Sequence, residues 1–210
     1  MRYSLALVIL LLLIVCFFSK TTSFLGANFF HCSLLDQLFA CYTYLGDGLF
    51  AIALMVVCFA MRKSTLAIKL FLVFILSGIA AQALKKLFHA PRPKAFFAEQ
   101  FYTHFIEGIT HSGFTSFPSG HTATAFAVAA MLSFNCRKHI TCMVAFWMAV
   151  LVGYSRVYLG QHFVEDVLAG IITGVLSAIF IEYLYNIRSK KIKPTRQSSA
   201  IAYEQPAIGV

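Results

Sequence analysis

From Leu5 to Tyr185 the chain is a succession of apolar runs, and nearly all of its Lys, Arg, Asp and Glu are pushed into the short breaks between them. A helix of about 20 apolar residues crosses the hydrocarbon of a bilayer, where every backbone amide must find its partner inside the segment itself. The pattern therefore predicts a helical membrane protein. With 60% hydrophobic and 12% charged residues and a mean hydropathy of +0.79, a water-soluble globule would have no means of hiding its apolar surface. The formal charge of +9 does not point to nucleic acid, because the basic residues lie between the runs instead of in one patch. Anionic membrane lipids are the partners it suits.

The runs predict an all-α, polytopic fold: six transmembrane helices in a bundle, with an interfacial segment between helices 3 and 4. The spans fall at about 5–18, 45–61, 65–84, 119–135, 140–154 and 162–185, so residues 1–185 make one membrane-embedded domain. The first run has the length of a signal-peptide core but lacks a clear small-residue cleavage site, and an uncleaved first span is expected. Residues 20–44, with Asn28, His31 and Asp36, read as a loop carrying one interfacial helix, and Lys69 reads as a residue that snorkels from the start of the third span. The connection from Lys86 to Phe117 has Pro91, Pro93 and phenylalanines at 96, 97, 101, 105, 114 and 117, a composition suited to the lipid headgroups. Residues 186–210 are polar, basic at first, and expected to be an unstructured cytoplasmic tail. Cys32 and Cys41 are the one pair placed to meet in an oxidising compartment.

Orientation follows from the basic residues. With the amino terminus inside, the inner face holds Arg2, Arg62, Lys63, Arg137, Lys138, Arg188, Lys190, Lys191, Lys193 and Arg196. The outer face holds Lys20, Lys85, Lys86, Arg92, Lys94 and Arg156. The larger inner set places both termini in the cytoplasm.

That topology brings three polar clusters to the outer side. Lys85 and Arg92 flank a loop stiffened by prolines, Pro118-Ser119-Gly120-His121 opens the fourth span, and Arg156, His162 and Asp166 lead into the sixth. Ser119 is placed to cap its helix, Gly120 lets a ligand approach the backbone, and free amides at a helix start attract an anion. With helix from about His162 onward, Asp166 shares its face and holds the imidazole in one tautomer. Asp166, Gly170, Gly174 and Ala178 recur every four residues, a small face that points the charged end into the bundle. Taken singly, the clusters also read as interfacial anchors, a helix cap and capping charges. Together, three cations, a serine, helix amides, two histidines and a carboxylate describe a phosphate cradle supplied with acid, base and nucleophile.

These residues resemble the signature of the type 2 phosphatidic acid phosphatase family: Lys, six residues, Arg-Pro; then Pro-Ser-Gly-His; then Ser-Arg, five residues, His, three residues, Asp. They fall on Lys85, Arg92 and Pro93, on Pro118 to His121, and on Ser155, Arg156, His162 and Asp166, without departure. The likeness covers residues 65–185, whereas residues 1–60 match only in carrying two spans. It implies a six-helix bundle with the site on the outer side. It also implies catalytic His162, His121 and Asp166, a phosphate site of Lys85, Arg92, Ser119, Gly120 and Arg156, and no metal or cofactor. His162 would attack phosphorus to give a phosphohistidine that water hydrolyses, while His121 protonates the leaving alkoxide and then activates the water.

A membrane-surface site without a soluble domain suits a lipid phosphate: a phosphatidic-type monoester, a polyprenyl (undecaprenyl) diphosphate or a lipid A phosphate. Lys86, Lys94 and His89 serve equally as a second phosphate site or as anchors, and the phenylalanines as a sideways entrance or as interface lining. A phosphotransferase with a non-water acceptor would use the same cradle. A haloperoxidase with bound vanadate does not suit six spans, and intact motifs argue against a non-catalytic protein. A metal centre of His162, Asp166 and His89 or His111 is disfavoured because the neighbouring cations repel a metal ion. The expected location is a bacterial inner membrane with the site facing the periplasm or exterior.

Overall fold

The computed structural model describes residues 2–97, 102, 104–136 and 138–192, and for 2–7 and 190–192 the backbone alone. Phe101, Arg137, Lys193, Arg196 and the tail from 193 onward, on which some of the expectations above rest, lie outside the described residues. Among those described, all regular structure is helical: α1 Arg2–Phe17, α2 Lys20–Ala27, α3 Ser33–Tyr42, a 3-10 turn Thr43–Gly46, α4 Gly48–Ala60, α5 Ser64–Phe88, α6 Pro93–Phe97, α7 Gly120–Asn135, α8 His139–Tyr158 and α9 Val164–Ile192.

Three stretches, Ser64–Phe97, His139–Tyr158 and Val164–Ser189, are long and apolar enough to cross a membrane. The α3 and α4 segments, bent by 54° at their junction, supply a fourth if counted as one span. Large apolar side chains such as Leu49, Phe59, Ile79 and Trp147 face outward from these helices, which suits lipid and not water. The chain is an integral membrane protein.

The centre of the bundle is α7, which packs against α4, α5, α8 and α9. Its Ala123, Ala125, Ala127 and Ala129 are all buried, and small side chains let neighbouring backbones approach closely. The closest approach is to α9. A Cβ on Gly170 would stand 2.7 Å from the Ser119 carbonyl oxygen, and one on Gly174 2.9 Å from the Ala127 amide nitrogen. The four-residue small face of α9 is thus the seam of the molecule.

Three expectations need correction. Residues 20–44 hold two helices, not a loop with one. Ser19 caps α2 by accepting the Thr22 amide at 3.1 Å, and Phe24 is fully buried against Phe97, Tyr102 and Phe163. Lys69 does not snorkel. It is 4% exposed, with Nζ 2.8 Å from Glu182 and 2.9 Å from Asn135, so counter-charge and a carbonyl from α9 and α7 offset its burial. Helix α9 continues to Ile192, beyond the expected end at 185, because no Pro or Gly interrupts it there. Cys32 and Cys41, whose pairing the sequence left open, are both free thiols.

Candidate active site

The C-terminal ends of α5 and α8 and the N-terminal ends of α7 and α9 meet at one end of the bundle. Ser119 is the N-cap of α7: its Oγ accepts the Thr122 amide at 3.4 Å and the Thr122 hydroxyl at 2.8 Å. Its own amide donates to the Asp166 carbonyl at 2.9 Å, which ties the start of α7 to the first turn of α9. Beside it, the atom nearest to where a Gly120 Cβ would lie is Lys85 Nζ, at 3.9 Å. A lysine ammonium therefore stands over the unpaired amides of a helix start, and the absent side chain leaves the space between them open.

Helix α9 begins at Val164, so His162 and Asp166 do not share a helical face as the spacing predicted. The cause is a reciprocal cap. Asp166, in the third helical position, accepts the Phe163 amide at 2.8 Å, which sets the helix boundary there and leaves His162 in the preceding turn. The two side chains still meet: His162 Nδ1 lies 3.5 Å from Asp166 Oδ2. Ser116 joins them, with Oγ donating to the same Oδ2 at 2.5 Å and lying 3.5 Å from Nδ1. His162 is 1% and Asp166 0% exposed. With Nδ1 turned to a carboxylate, the ring proton belongs on that side and Nε2 keeps its lone pair.

Burial pushes the His162 pKa down to about 4, against the upward pull of the Asp166 carboxylate and with help from the charges of Arg156 and Arg92. Burial thus favours the uncharged imidazole. Arg156 is 6% exposed; one terminal nitrogen donates to Thr43 at 2.6 Å, and its Nε is buried without a partner. Arg92 donates to Gln161 Oε1 at 2.5 Å, and Gln161 in turn donates to the Ile109 carbonyl. The backbone of Arg92 and Ala90 pairs with Gly113 and Ser116, so the segment bearing Arg92 and the one bearing Ser116 are a single unit. His121, in the first turn of α7, lies close to Arg156, His162, Lys85 and Arg92. Gly46 allows the 3-10 turn to press on it, since a Cβ there would come within 2.9 Å of the His121 carbonyl oxygen.

All eight residues singled out in the sequence therefore converge: Lys85, Arg92, Ser119, Gly120, His121, Arg156, His162 and Asp166. The accessory candidates do not join them. His89 is exposed and stacks on Phe114, and His111 is exposed; neither forms a metal-ligand group with His162 and Asp166. Lys86 is exposed on the far face of α5, in a surface groove lined by Phe74, Ile75 and Gly78. Phe97 is buried in the aromatic cluster, while Phe96 and Phe114 are exposed. Sequence reasoning missed Thr43, Ser116, Thr122 and Gln161, which hold Arg156, Asp166, Ser119 and Arg92. Only Gln161 and Thr122, next to motif residues, had a local signal to offer.

Chemically, the arrangement offers a buried neutral imidazole with one nitrogen held by a carboxylate. Around it stand three cations, an unpartnered guanidinium N–H and a helix start, which is a set of donors for a tetrahedral oxyanion.

Comparison with known proteins gives the same direction. The model of the PAP2 superfamily matches residues 66–190. The chain is 32% identical over 176 residues to phosphatidylglycerophosphatase B of Bacillus subtilis, covering 78% of this chain and 79% of that protein. It is 32% identical over 115 residues to lipid A 1-phosphatase of Rhizobium johnstonii, 55% of this chain and 46% of that protein, so it spans under half of that relative. The crystal structure of a transmembrane PAP2-type phosphatidylglycerolphosphate phosphatase from Bacillus subtilis superposes with a TM-score of 0.66 at 27% identity, covering 92% of this chain and 99% of that one.

Proposed function

The chain belongs to the PAP2 superfamily, and on that premise we propose that it is a membrane phosphatase that hydrolyses lipid phosphates, or lipid diphosphates, through a phosphohistidine on His162. One observation carries this reading. The imidazole of His162, held by Asp166 and Ser116, lies within the combined field of Arg92 and Arg156, with His121 close by and Lys85 over the start of α7.

Nε2 of His162 attacks phosphorus, forming a P–N bond as the P–O bond to the lipid breaks. His121 gives its proton to the leaving oxygen. Water then attacks the phosphohistidine, His121 takes the water's proton, and inorganic phosphate leaves. Lys85, Arg92, Arg156, Ser119 and the Gly120 amide balance the charge on the equatorial oxygens. The Ser119 hydroxyl is placed to donate, since its oxygen already accepts from Thr122. No step requires a metal ion.

Our reading takes six crossings, α1, α3 with α4, α5, α7, α8 and α9, which the three long apolar stretches and the bent α3–α4 pair support in part. The 16-residue α7, about 24 Å long, is short for a span, but neighbours enclose it and it need not match the hydrocarbon thickness alone. The larger number of basic residues on the opposite side supports a site on the outer face of a bacterial inner membrane. Relatives named for phosphatidylglycerophosphate and lipid A support an anionic lipid headgroup as the substrate.

The test is phosphate release by the detergent-purified protein from phosphatidic acid, phosphatidylglycerol phosphate, a polyprenyl diphosphate and lipid A. At least one should be hydrolysed, and His162→Ala should lose about a thousandfold or more. Parent-like hydrolysis by His162→Ala removes the phosphohistidine. Transfer to an added alcohol without phosphate release marks a phosphotransferase instead.

A further inference from the structure

A second cluster of ligating side chains lies where the α2–α3 turn, the 102–110 segment and the end of α8 come together, and the phosphatase reading makes no use of it. His104 Nε2 is 3.2 Å from Asp36 Oδ1, and His31 Nδ1 is 4.0 Å from the same oxygen. The three donor atoms lie within 4.8 Å of one another, the one such group of three among the described residues. The two imidazole rings stack with centroids 3.9 Å apart.

His31 is the informative member. Its Nε2 is 2.9 Å from the Tyr102 hydroxyl, while Nδ1 is buried and has no hydrogen-bond partner. At 4.0 Å the carboxylate is too distant to accept a hydrogen bond from it. Asp36 Oδ1, for its part, accepts from the Tyr158 hydroxyl at 2.8 Å. An imidazole with one nitrogen held by a hydroxyl and the other bare, facing a carboxylate and a second imidazole, has the surroundings of a metal ligand.

We propose that His31, Asp36 and His104 bind a divalent ion of the zinc class. Two imidazole nitrogens and a carboxylate oxygen suit that ion, with a fourth position left for water. Metal–ligand bonds of about 2.0–2.2 Å put tetrahedral donors about 3.3–3.6 Å apart, so a group spread over 4.8 Å must draw in by about 1.2–1.5 Å at its widest. His104, whose side chain is 39% exposed, has the freedom to turn. The ion joins the α2–α3 region, which carries His31 and Asp36, to His104, 68 positions beyond Asp36. Through Tyr158, and through Thr110, whose hydroxyl donates to the Leu159 carbonyl at 2.9 Å, it steadies the turn from Leu159 to His162. It is a staple beside the phosphate cradle and takes no part in phosphoryl transfer.

The experiment uses the full-length protein stripped with a chelator, dialysed against zinc chloride alone and passed over a desalting column. Bound zinc is then counted by atomic spectrometry and Tm is recorded. About one zinc per chain with a raised Tm is expected. His104→Ala should weaken binding by about tenfold or more, as should Asp36→Asn if the first variant is poorly folded. His111→Ala, at an exposed histidine elsewhere, should bind as the parent does. No retained zinc at micromolar free metal, full retention by His104→Ala, or loss of zinc on His162→Ala instead would each overturn the assignment. Because zinc is counted directly, the outcome does not depend on whether any lipid is hydrolysed.

Discussion

Ser116 donates a 2.5 Å hydrogen bond to Oδ2 of Asp166, the same oxygen that lies 3.5 Å from His162 Nδ1. The serine belongs to none of the three motifs, yet it holds the carboxylate against the imidazole. A hydrogen bond to a buried charged group is worth about 1.5–3 kcal/mol. Ser116→Ala should lower kcat by about 10- to 100-fold, with KM changed less than about twofold. Steady-state hydrolysis of a lipid phosphate in micelles measures both, and an unchanged kcat removes Ser116 from its positioning role.

The pH dependence has a definite sign. Burial disfavours the imidazolium of His162 and lowers its pKa to about 4, so the neutral, nucleophilic form dominates above that value and is lost only as pH falls through it. Formation of the phosphoenzyme in a single turnover should hold its rate between about pH 6.5 and 5.5. A decline centred near the ordinary histidine value of about 6.5 contradicts a buried nucleophile.

Gly120 keeps open the space beneath the Lys85 ammonium, where a Cβ would meet nothing nearer than 3.9 Å. Gly120→Ala should therefore fold normally, with Tm unchanged, while intruding on bound oxyanion. Vanadate, which mimics phosphorus with five ligands, should inhibit the parent and lose about tenfold in affinity on this substitution. Equal inhibition of both proteins would place the anion elsewhere.

At the opposite end of the bundle Lys69 lies 2.8 Å from Glu182, with the two side chains 5% and 19% exposed. Lys69→Met should destabilise the protein by about 2–4 kcal/mol by stranding the carboxylate, and adding Glu182→Gln should restore much of the loss. Thermal unfolding in detergent reads the cycle. Additive losses would mean that the two residues do not interact.

The α7–α9 seam makes a sharper contrast. A Cβ at Gly174 would overlap the Ala123 carbonyl, whereas one at Gly78 meets nothing within 4 Å. Gly174→Ala should cost about 1–3 kcal/mol, and Gly78→Ala should be neutral or slightly stabilising. Similar Tm values for the two variants would argue against close packing at the seam.

How far the sequence could be read depended on how far apart the partners lie. The helices over 64–88, 139–158 and 164–192 were visible as apolar runs, and the cap at Ser119 as a local pattern. The small face of α9 was visible in the spacing of Gly170 and Gly174. Thr43, by contrast, lies 113 positions from the Arg156 it binds, and Glu182 lies 113 from Lys69. Nothing near Lys69 announced a counter-ion, so its spacing suggested a snorkelling side chain where a buried ion pair exists. His31 and Asp36 read as polar residues of one loop over 20–44, and nothing in the sequence linked them to the distant His104.

The sequence by itself determined that this chain is helical and membrane-embedded and that its motif residues have the chemistry to hold a phosphate, because hydropathy, periodicity and side-chain type are carried by neighbouring residues. The tertiary structure alone decided that α9 starts after His162, that Ser116 completes the Asp166–His162 contact and that burial lowers the His162 pKa. Those properties depend on burial and on distances of a few ångströms between residues remote in the chain, which only the packed bundle sets.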